Sequence, residues 1–302
     1  MLNKVTDKSI DEKGERMVPA FHEKQLVYGE HISRYLAASE IIKNKIVLDI
    51  ASGSGYGSSL LSENASFVYG VDNDKQSIDY SKRNYKKSNI EFRLGTAENI
   101  PLKDSSVDAV VSFETIEHIE DFNLFLKEIK RVLKKDGFLI ISTPNDYEFP
   151  EGNHFHKHEF YPEELKKLLS KHYKYTKHYY QVTWIYNAIL NEHDAQLEWL
   201  KPINTYNAAP VEDNKAVYLM AVCTNSAITK DFEIRSMGVT SEHYSARAIQ
   251  EEKHKIDKEI KMLKTDIKNK NRELSSIYNS RGWKLLDYIY NTKIKLKKIL
   301  VK

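Results

Sequence analysis

The sequence predicts an α/β protein with a doubly wound, mainly parallel sheet, followed by a helical tail of a different kind. Three observations lead there. From Lys45 onward, short apolar runs alternate with segments of helical period. A glycine-rich turn follows the first apolar run, where such sheets carry their ligands. The final stretch then changes to a seven-residue apolar repeat lined by charge.

The elements follow in order. KIVLDIA reads as a buried strand and SSLLSEN as the start of a helix. FVYGVDND is a second strand, KQSIDYSKRNYKK a helix, IEFRLGTA a third strand and SVDAVVSFE a fourth. FNLFLKEIKRVLK places Phe122, Phe125, Leu126, Ile129, Val132 and Leu133 at helical spacing, with its end expected at the Asp136-Gly137 turn. FLIISTPN is a fifth strand. PEELKKLLSKH is a helix whose proline suits the first turn. KYTKHYYQVTWIY and AVYLMAVCTN read as two closing strands, separated by an insertion over 187–214. The expected organisation is a helical cap over 1–44, a main domain over 45–225, a linker over 226–246, a coiled coil over 247–279 and a basic amphipathic helix over 280–302.

Composition removes several function classes. With 302 residues the chain can bury a large core and still carry an appendage. A single cysteine, Cys223, excludes a disulfide framework and fits a reducing compartment; its bland reading is a small buried apolar side chain. The polar N-terminus lacks the apolar core of a secretory signal, and no apolar run approaches a membrane span. The expected location is therefore cytoplasmic, with any contact at the inner membrane surface peripheral. A net charge of +3 is too small to argue for nucleic acid.

In the tail, Ile249, Lys253, Ile256, Ile260, Leu263, Ile267, Lys270, Leu274 and Ile277 follow at alternating steps of four and three. The charged surroundings favour a coiled-coil seam over one helix packed on the main domain. Beyond it, Trp283, Leu286, Ile289, Leu296 and Leu300 share a face near several lysines. Such a helix suits an anionic membrane surface or a partner protein, and both stay open.

The glycine loop, Gly53, Gly55 and Gly57, fails the dinucleotide pattern G-x-G-x-x-G because Ser58 stands where the last glycine belongs. No GK[ST] follows either, so a phosphate-cradling loop is excluded. What remains is Asp49 on the strand before the loop and Asp72 at the end of the next strand. An acid in the latter place accepts the two hydroxyls of a ribose. Asp49 suits a cationic amine; tying down its own loop is the bland alternative. A ribose diol plus an ammonium group, without pyrophosphate, describes S-adenosylmethionine.

KIVLDIASGSGYGSSLL, VYGVDND, GTAENIPLKDSSVDAVVSFETIEHI and VLKKDGFLIISTPN, in this order, resemble the motifs of class I S-adenosylmethionine-dependent methyltransferases. The resemblance implies a Rossmann-like seven-stranded sheet whose last strand runs antiparallel. It implies that Asp49, Ala51, Gly53 and Gly55 surround the methionine part, that Asp72 holds the ribose, that Asn73 lines the adenine pocket, and that Thr96 and Ala97 meet the adenine edge. Thr96 departs from the aspartate common in the family, and SGSG from the usual CGxG.

The methyl donor needs no activation, so catalysis rests on aligning a nucleophile, with a general base if the acceptor is a hydroxyl. Glu114, Glu117 and His118 follow the fourth strand at its ligand-bearing end. Glu114 is a candidate for the pocket wall and His118 for the base, against a capping or core role. His154, His156 and His158 alternate on a loop, which in extended form would point all three one way. Glu114, Glu117, His118 and His156 also resemble the magnesium sites of small-RNA and ubiquinone-pathway methyltransferases, although magnesium prefers oxygen ligands and no metal is the primary expectation. Upstream, Arg16 is a candidate partner for the cofactor carboxylate and His31 for the acceptor side, in a segment expected to be helical.

That N-terminal segment and the tail together resemble methyltransferases of bacterial surface-polysaccharide clusters. The resemblance implies O-methylation of a saccharide or lipid-linked glycan, on a hydroxyl or terminal phosphate, with the coiled coil serving a homo-oligomer or a glycan-assembly partner. A quinone or natural-product acceptor and a non-catalytic scaffold are the competing readings.

Overall fold

The computed structural model describes residues 17–22, 26–148, 153–182, 216–226 and 246–300. Arg16, the insertion over 187–214 and nearly all of the expected linker lie outside the described residues. The chain divides into two units, Met1–His243 and Tyr244–Lys302.

The first unit opens with α1 (Pro19–His22) and α2 (Leu26–Ile41). There follow β1 (Ile46–Ile50), α3 (Tyr56–Leu61), β2 (Phe67–Asp72), α4 (Lys75–Asn84), β3 (Ile90–Leu94) and β4 (Val107–Phe113). A single 3-10 turn over Ile116–His118 leads to α5 (Phe122–Val132), β5 (Leu133–Pro144), α6 (Pro162–His172), β6 (Tyr175–Gln181) and β7 (Tyr218–Thr224). The seven strands form one sheet in the order β3-β2-β1-β4-β5-β7-β6. β7 pairs antiparallel with both β5 and β6, and the pairs among β1 to β5 are parallel, as the resemblance implied.

Strand alternation explains the two-sided burial. Leu48, Ile50, Val110, Leu139 and Ile141 face one way and share a core with Phe125 and Ile129 of α5 and Leu165 and Leu169 of α6. Val47, Val68, Val111 and Ile140 face the other way, sharing a core with Tyr35 and Ala38 of α2, Ile42 just after it and Leu61 of α3. Cys223 is fully buried in β7, and burial pushes its thiol pKa up, so it is an inert packing group.

One boundary differs from the sequence reading. α5 stops at Val132 rather than at the Asp136-Gly137 turn, and β5 already begins at Leu133. Leu133 pairs with Val107, and Lys134 Nζ reaches Asp108 Oδ1 at 2.8 Å. An irregularity in the β4–β5 register between Val107 and Ala109 accommodates the residues that periodicity assigned to the helix and its turn.

Order 3-2-1-4-5 reverses direction between β1 and β4, so the crevice outside their carboxyl ends is the place for a ligand. Both tips carry a non-glycine residue in the left-handed region, Ala51 (φ 59°) after β1 and Glu114 (φ 49°) after β4. Strained backbone at two neighbouring strand ends is a pointer to function.

The second unit consists of α7 (Ala246–Asn279) and α8 (Arg281–Leu300). The expected heptad segment is thus one continuous helix. Among the described residues no helix is long and apolar enough to cross a membrane.

Candidate functional site

The glycine loop is held by its own backbone and by its neighbours. Ser52 N–H donates to Val71 O, and Gly55 N–H to Ser52 O. Gly53 (φ 51°) and Gly55 (φ 83°) occupy the left-handed region. A Cβ at Gly53 would meet nothing within 4 Å, so open space faces the backbone there. A Cβ at Gly55 would sit 2.5 Å from Ser81 Oγ, and one at Gly57 only 2.0 Å from Tyr35 Cζ. Gly53 is therefore open for close approach of a ligand, whereas the other two glycines serve packing.

Asp72 ends β2 beside this loop. Its Oδ2 accepts the Gly53 N–H at 2.8 Å and its Oδ1 the Asp74 N–H at 2.9 Å. The carboxylate is thereby fixed against the open face of the loop, which fits the ribose role. Asn73 and Thr96 are exposed and Ala97 is half-buried, all three following the carboxyl ends of β2 and β3. An adenine lying across those strand ends would find them there.

Asp49 is placed differently from its expected cofactor contact. It is fully buried, accepting from Ser58 Oγ at 2.6 Å and from Tyr35 Oη at 3.2 Å. The alternative use, tying the loop to α2 and α3, is the one the geometry displays. Burial pushes its carboxyl up to about 7, against the two hydrogen bonds, and the charge of Asp72 adds to the rise. From its ordinary value of 3.8 this is a cost of about 4 kcal/mol once the group is ionised. The folded chain keeps the proton between roughly pH 4 and 7 while the unfolded chain loses it, so this stabilisation is present at low pH and lost as pH rises through 7. Asp49→Asn is expected to flatten that part of the stability profile in denaturant melts from pH 5 to 7.5. An unchanged slope would contradict the assignment.

Across the crevice, Glu114 follows β4. Its Oε1 accepts from Ser142 Oγ at 2.6 Å and lies 3.9 Å from Arg34 Nη1. Arg34, on α2, is only 1% exposed. It donates to Gln181 Oε1 at 2.8 Å and stacks 4.3 Å over the Tyr218 ring, while its Nε and Nη2 have no hydrogen-bond partner. Burial opposes its charge, but Glu114, Tyr218, Tyr56 and Glu30 outweigh that and raise its pKa, so the cation persists. On the same helix, His31 Nδ1 lies 2.7 Å from Tyr56 Oη, at the first residue of α3. Burial, reinforced by Arg34, lowers the His31 pKa, which keeps the ring neutral near pH 7. Tyr56, Ser142, Gln181 and Tyr218 were missed by sequence reasoning: Arg34 and Gln181 meet across 147 residues, and no local pattern encodes that.

The third group joins Glu117, His118 and His156. The His118 and His156 rings meet edge to face at 4.8 Å. His118 Nδ1 is 3.1 Å from Phe155 O, and His156 Nδ1 is 2.7 Å from Glu159 Oε1. Glu117 is fully buried, with Oε2 accepting from Thr143 Oγ1 at 3.0 Å and Oε1 unpartnered. Burial, with the charge of Glu114 adding, holds its carboxyl well above the usual range. Glu117, His118 and His156 each offer one ligand atom, all within 4.8 Å of one another. The quartet drawn from the sequence is corrected here, because Glu114 is not in that group and turns instead to Ser142 and Arg34. Two imidazoles and one carboxylate suit a transition ion better than magnesium.

The expected wall of three histidines does not form. His154 is exposed and stacks on Phe155 at 3.8 Å, whereas His158 packs against Phe122 and Phe160. The loop turns at residues 154 and 155, and the alternation that extended backbone imposes is lost.

Residues 48–141 match a family described as a methyltransferase domain. A probable S-adenosylmethionine-dependent methyltransferase of Mycolicibacterium smegmatis is 34% identical over 161 residues, covering 52% of this chain and 62% of that protein. A ubiquinone biosynthesis O-methyltransferase of Bartonella quintana is 31% identical over 147 residues, covering 43% and 60%. The chain thus spans less than two-thirds of either relative. A solved S-adenosylmethionine-dependent methyltransferase from Thermotoga maritima is 23% identical, with 68% of this chain and 98% of that one covered and a TM-score of 0.45.

Proposed function

We propose that this chain, whose core is a class I S-adenosylmethionine-dependent methyltransferase domain, transfers the methyl group to an oxygen of its acceptor. The observation that carries the reading is the pairing of an open glycine backbone at Gly53 with the fixed carboxylate of Asp72. When bound, S-adenosylmethionine supplies an electrophilic methyl on a sulfonium, so the chain's task is to position and orient the acceptor and, where that is a hydroxyl, to take up its proton. Asp72 would hold the nucleoside sugar, the Gly53 backbone would admit the amino-acid part, and Glu114 is the candidate for the pocket wall. His118 takes the acceptor proton, with its ring oriented through Phe155 O and His156.

The acceptor we favour is a saccharide or lipid-linked glycan, through a hydroxyl or a terminal phosphate. The N-terminal motifs and the basic amphipathic segment at the chain's end support it. The Bartonella relative, named for ubiquinone biosynthesis, favours a small acceptor of the quinone class instead. Transfer of labelled methyl to cell-envelope fractions separates them, since label would enter either the polysaccharide or the lipid-soluble small molecules.

For a hydroxyl acceptor, His118→Ala is expected to lower kcat by about 100-fold or more while leaving cofactor affinity within about threefold. His156→Ala should have a smaller effect through ring orientation. Unchanged turnover in both variants would remove the base assignment. Loss of activity on chelation, restored by a transition ion, would instead favour a metal at Glu117, His118 and His156.

A further inference from the structure

The seam of α7 carries a second piece of information in the residues that flank it. With Ile260, Ile267 and Leu274 at the a positions and Ile256, Leu263 and Ile277 at d, every one of these side chains is exposed, between 43% and 61%. An apolar stripe of this kind along a 34-residue helix, long enough for about five heptads, calls for a partner helix. The g positions in the described part are Glu259, Asp266 and Glu273, all acidic. The e positions are Lys264, Asn271 and Tyr278.

Orientation follows from these flanks. An antiparallel pair of identical helices brings g against g in any heptad-matched register, so acid would meet acid along the whole flank. A parallel, in-register pair brings each g against the e five residues further on. Glu259 then meets Lys264 of the second copy, on both sides by symmetry, and Asp266 and Glu273 meet the uncharged Asn271 and Tyr278. Lys270, the charged residue at d, is already paired in its own helix, with Nζ 3.2 Å from Glu273 Oε2. The one acid pair that the parallel arrangement leaves is Glu252 with Asp257, in the first heptad of the sequence.

We propose that α7 binds a second copy of this chain in parallel and in register. Between two like chains the parallel orientation avoids the acid-on-acid flank and adds the Glu259–Lys264 pair on both sides, and the exposed seam supplies the apolar contact.

Cysteine cross-linking of the full chain tests this, because Cys223 is buried and does not compete. Ile277→Cys, at a d position, should give a disulfide-linked dimer under mild oxidation as the predominant species, since parallel pairing sets equivalent d residues side by side. Ile260→Asp combined with Ile267→Asp should abolish that cross-link and give a monomer by light scattering, with S-adenosylmethionine affinity unchanged as the check that the first unit is folded. A wild-type chain that is monomeric at tens of micromolar would overturn the proposal. So would an oligomer in which Ile277→Cys fails to cross-link, and so would an oligomer that survives the two aspartates.

Discussion

Asp72→Ala is expected to weaken S-adenosylmethionine binding by about 100-fold or more, the largest effect on affinity among the variants considered. Two losses add up. The carboxylate would accept both ribose hydroxyls, and hydrogen bonds to a charged group contribute about 1.5–3 kcal/mol each. Even about 3 kcal/mol in total corresponds to more than 100-fold in Kd. The same carboxylate also accepts the Gly53 and Asp74 N–H groups, so its removal loosens the loop that the methionine part must meet. Asp72→Asn keeps one acceptor oxygen and should fall between the two. Calorimetric titration measures this directly, with a thermal melt to show that the domain is intact. A change in Kd below about threefold for Asp72→Ala would contradict the ribose role.

Gly57→Ala should produce the largest loss of stability. The added methyl would stand 2.0, 2.3 and 2.5 Å from three carbons of the Tyr35 ring. That ring has little room to retreat. It is 5% exposed, packs edge to face on Tyr56 at 5.4 Å and Phe113 at 5.0 Å, and donates to Asp49. Overpacking of this kind costs about 3 kcal/mol, which lowers Tm by about 6–12 °C in a domain of this size. Shifting Tyr35 would also break its bond to Asp49, so the damage should reach the cofactor loop. Gly53→Ala is the control: its backbone is strained at φ 51° but no atom lies near the new methyl, so its stability loss should be about 1 kcal/mol. Equal losses at the two positions would contradict the division between a packing glycine and an open one.

Much of this was legible in the sequence because it is local. The strand and helix periods, the failed dinucleotide spacing at Ser58 and the acid at the end of β2 each rest on a few adjacent residues. The antiparallel seventh strand came from the motif resemblance rather than from periodicity, since AVYLMAVCTN reads alike in either direction. Contacts across long stretches of chain were not legible. Asp49 looked like a ligand group until Tyr35 and Ser58 closed around it. Glu114 looked like a member of a histidine cluster, yet its carboxylate turns to Ser142 and Arg34 instead. The misplaced end of α5 has a tertiary cause as well, because pairing of Leu133 with Val107 overrides helical propensity.

Calorimetric titration of the wild-type chain with S-adenosylmethionine, with NAD as the competing ligand, tests the central claim most directly. Saturable binding of the sulfonium nucleoside at one site, and none of the dinucleotide, is expected. Heat released by the dinucleotide, with none from S-adenosylmethionine, would contradict it.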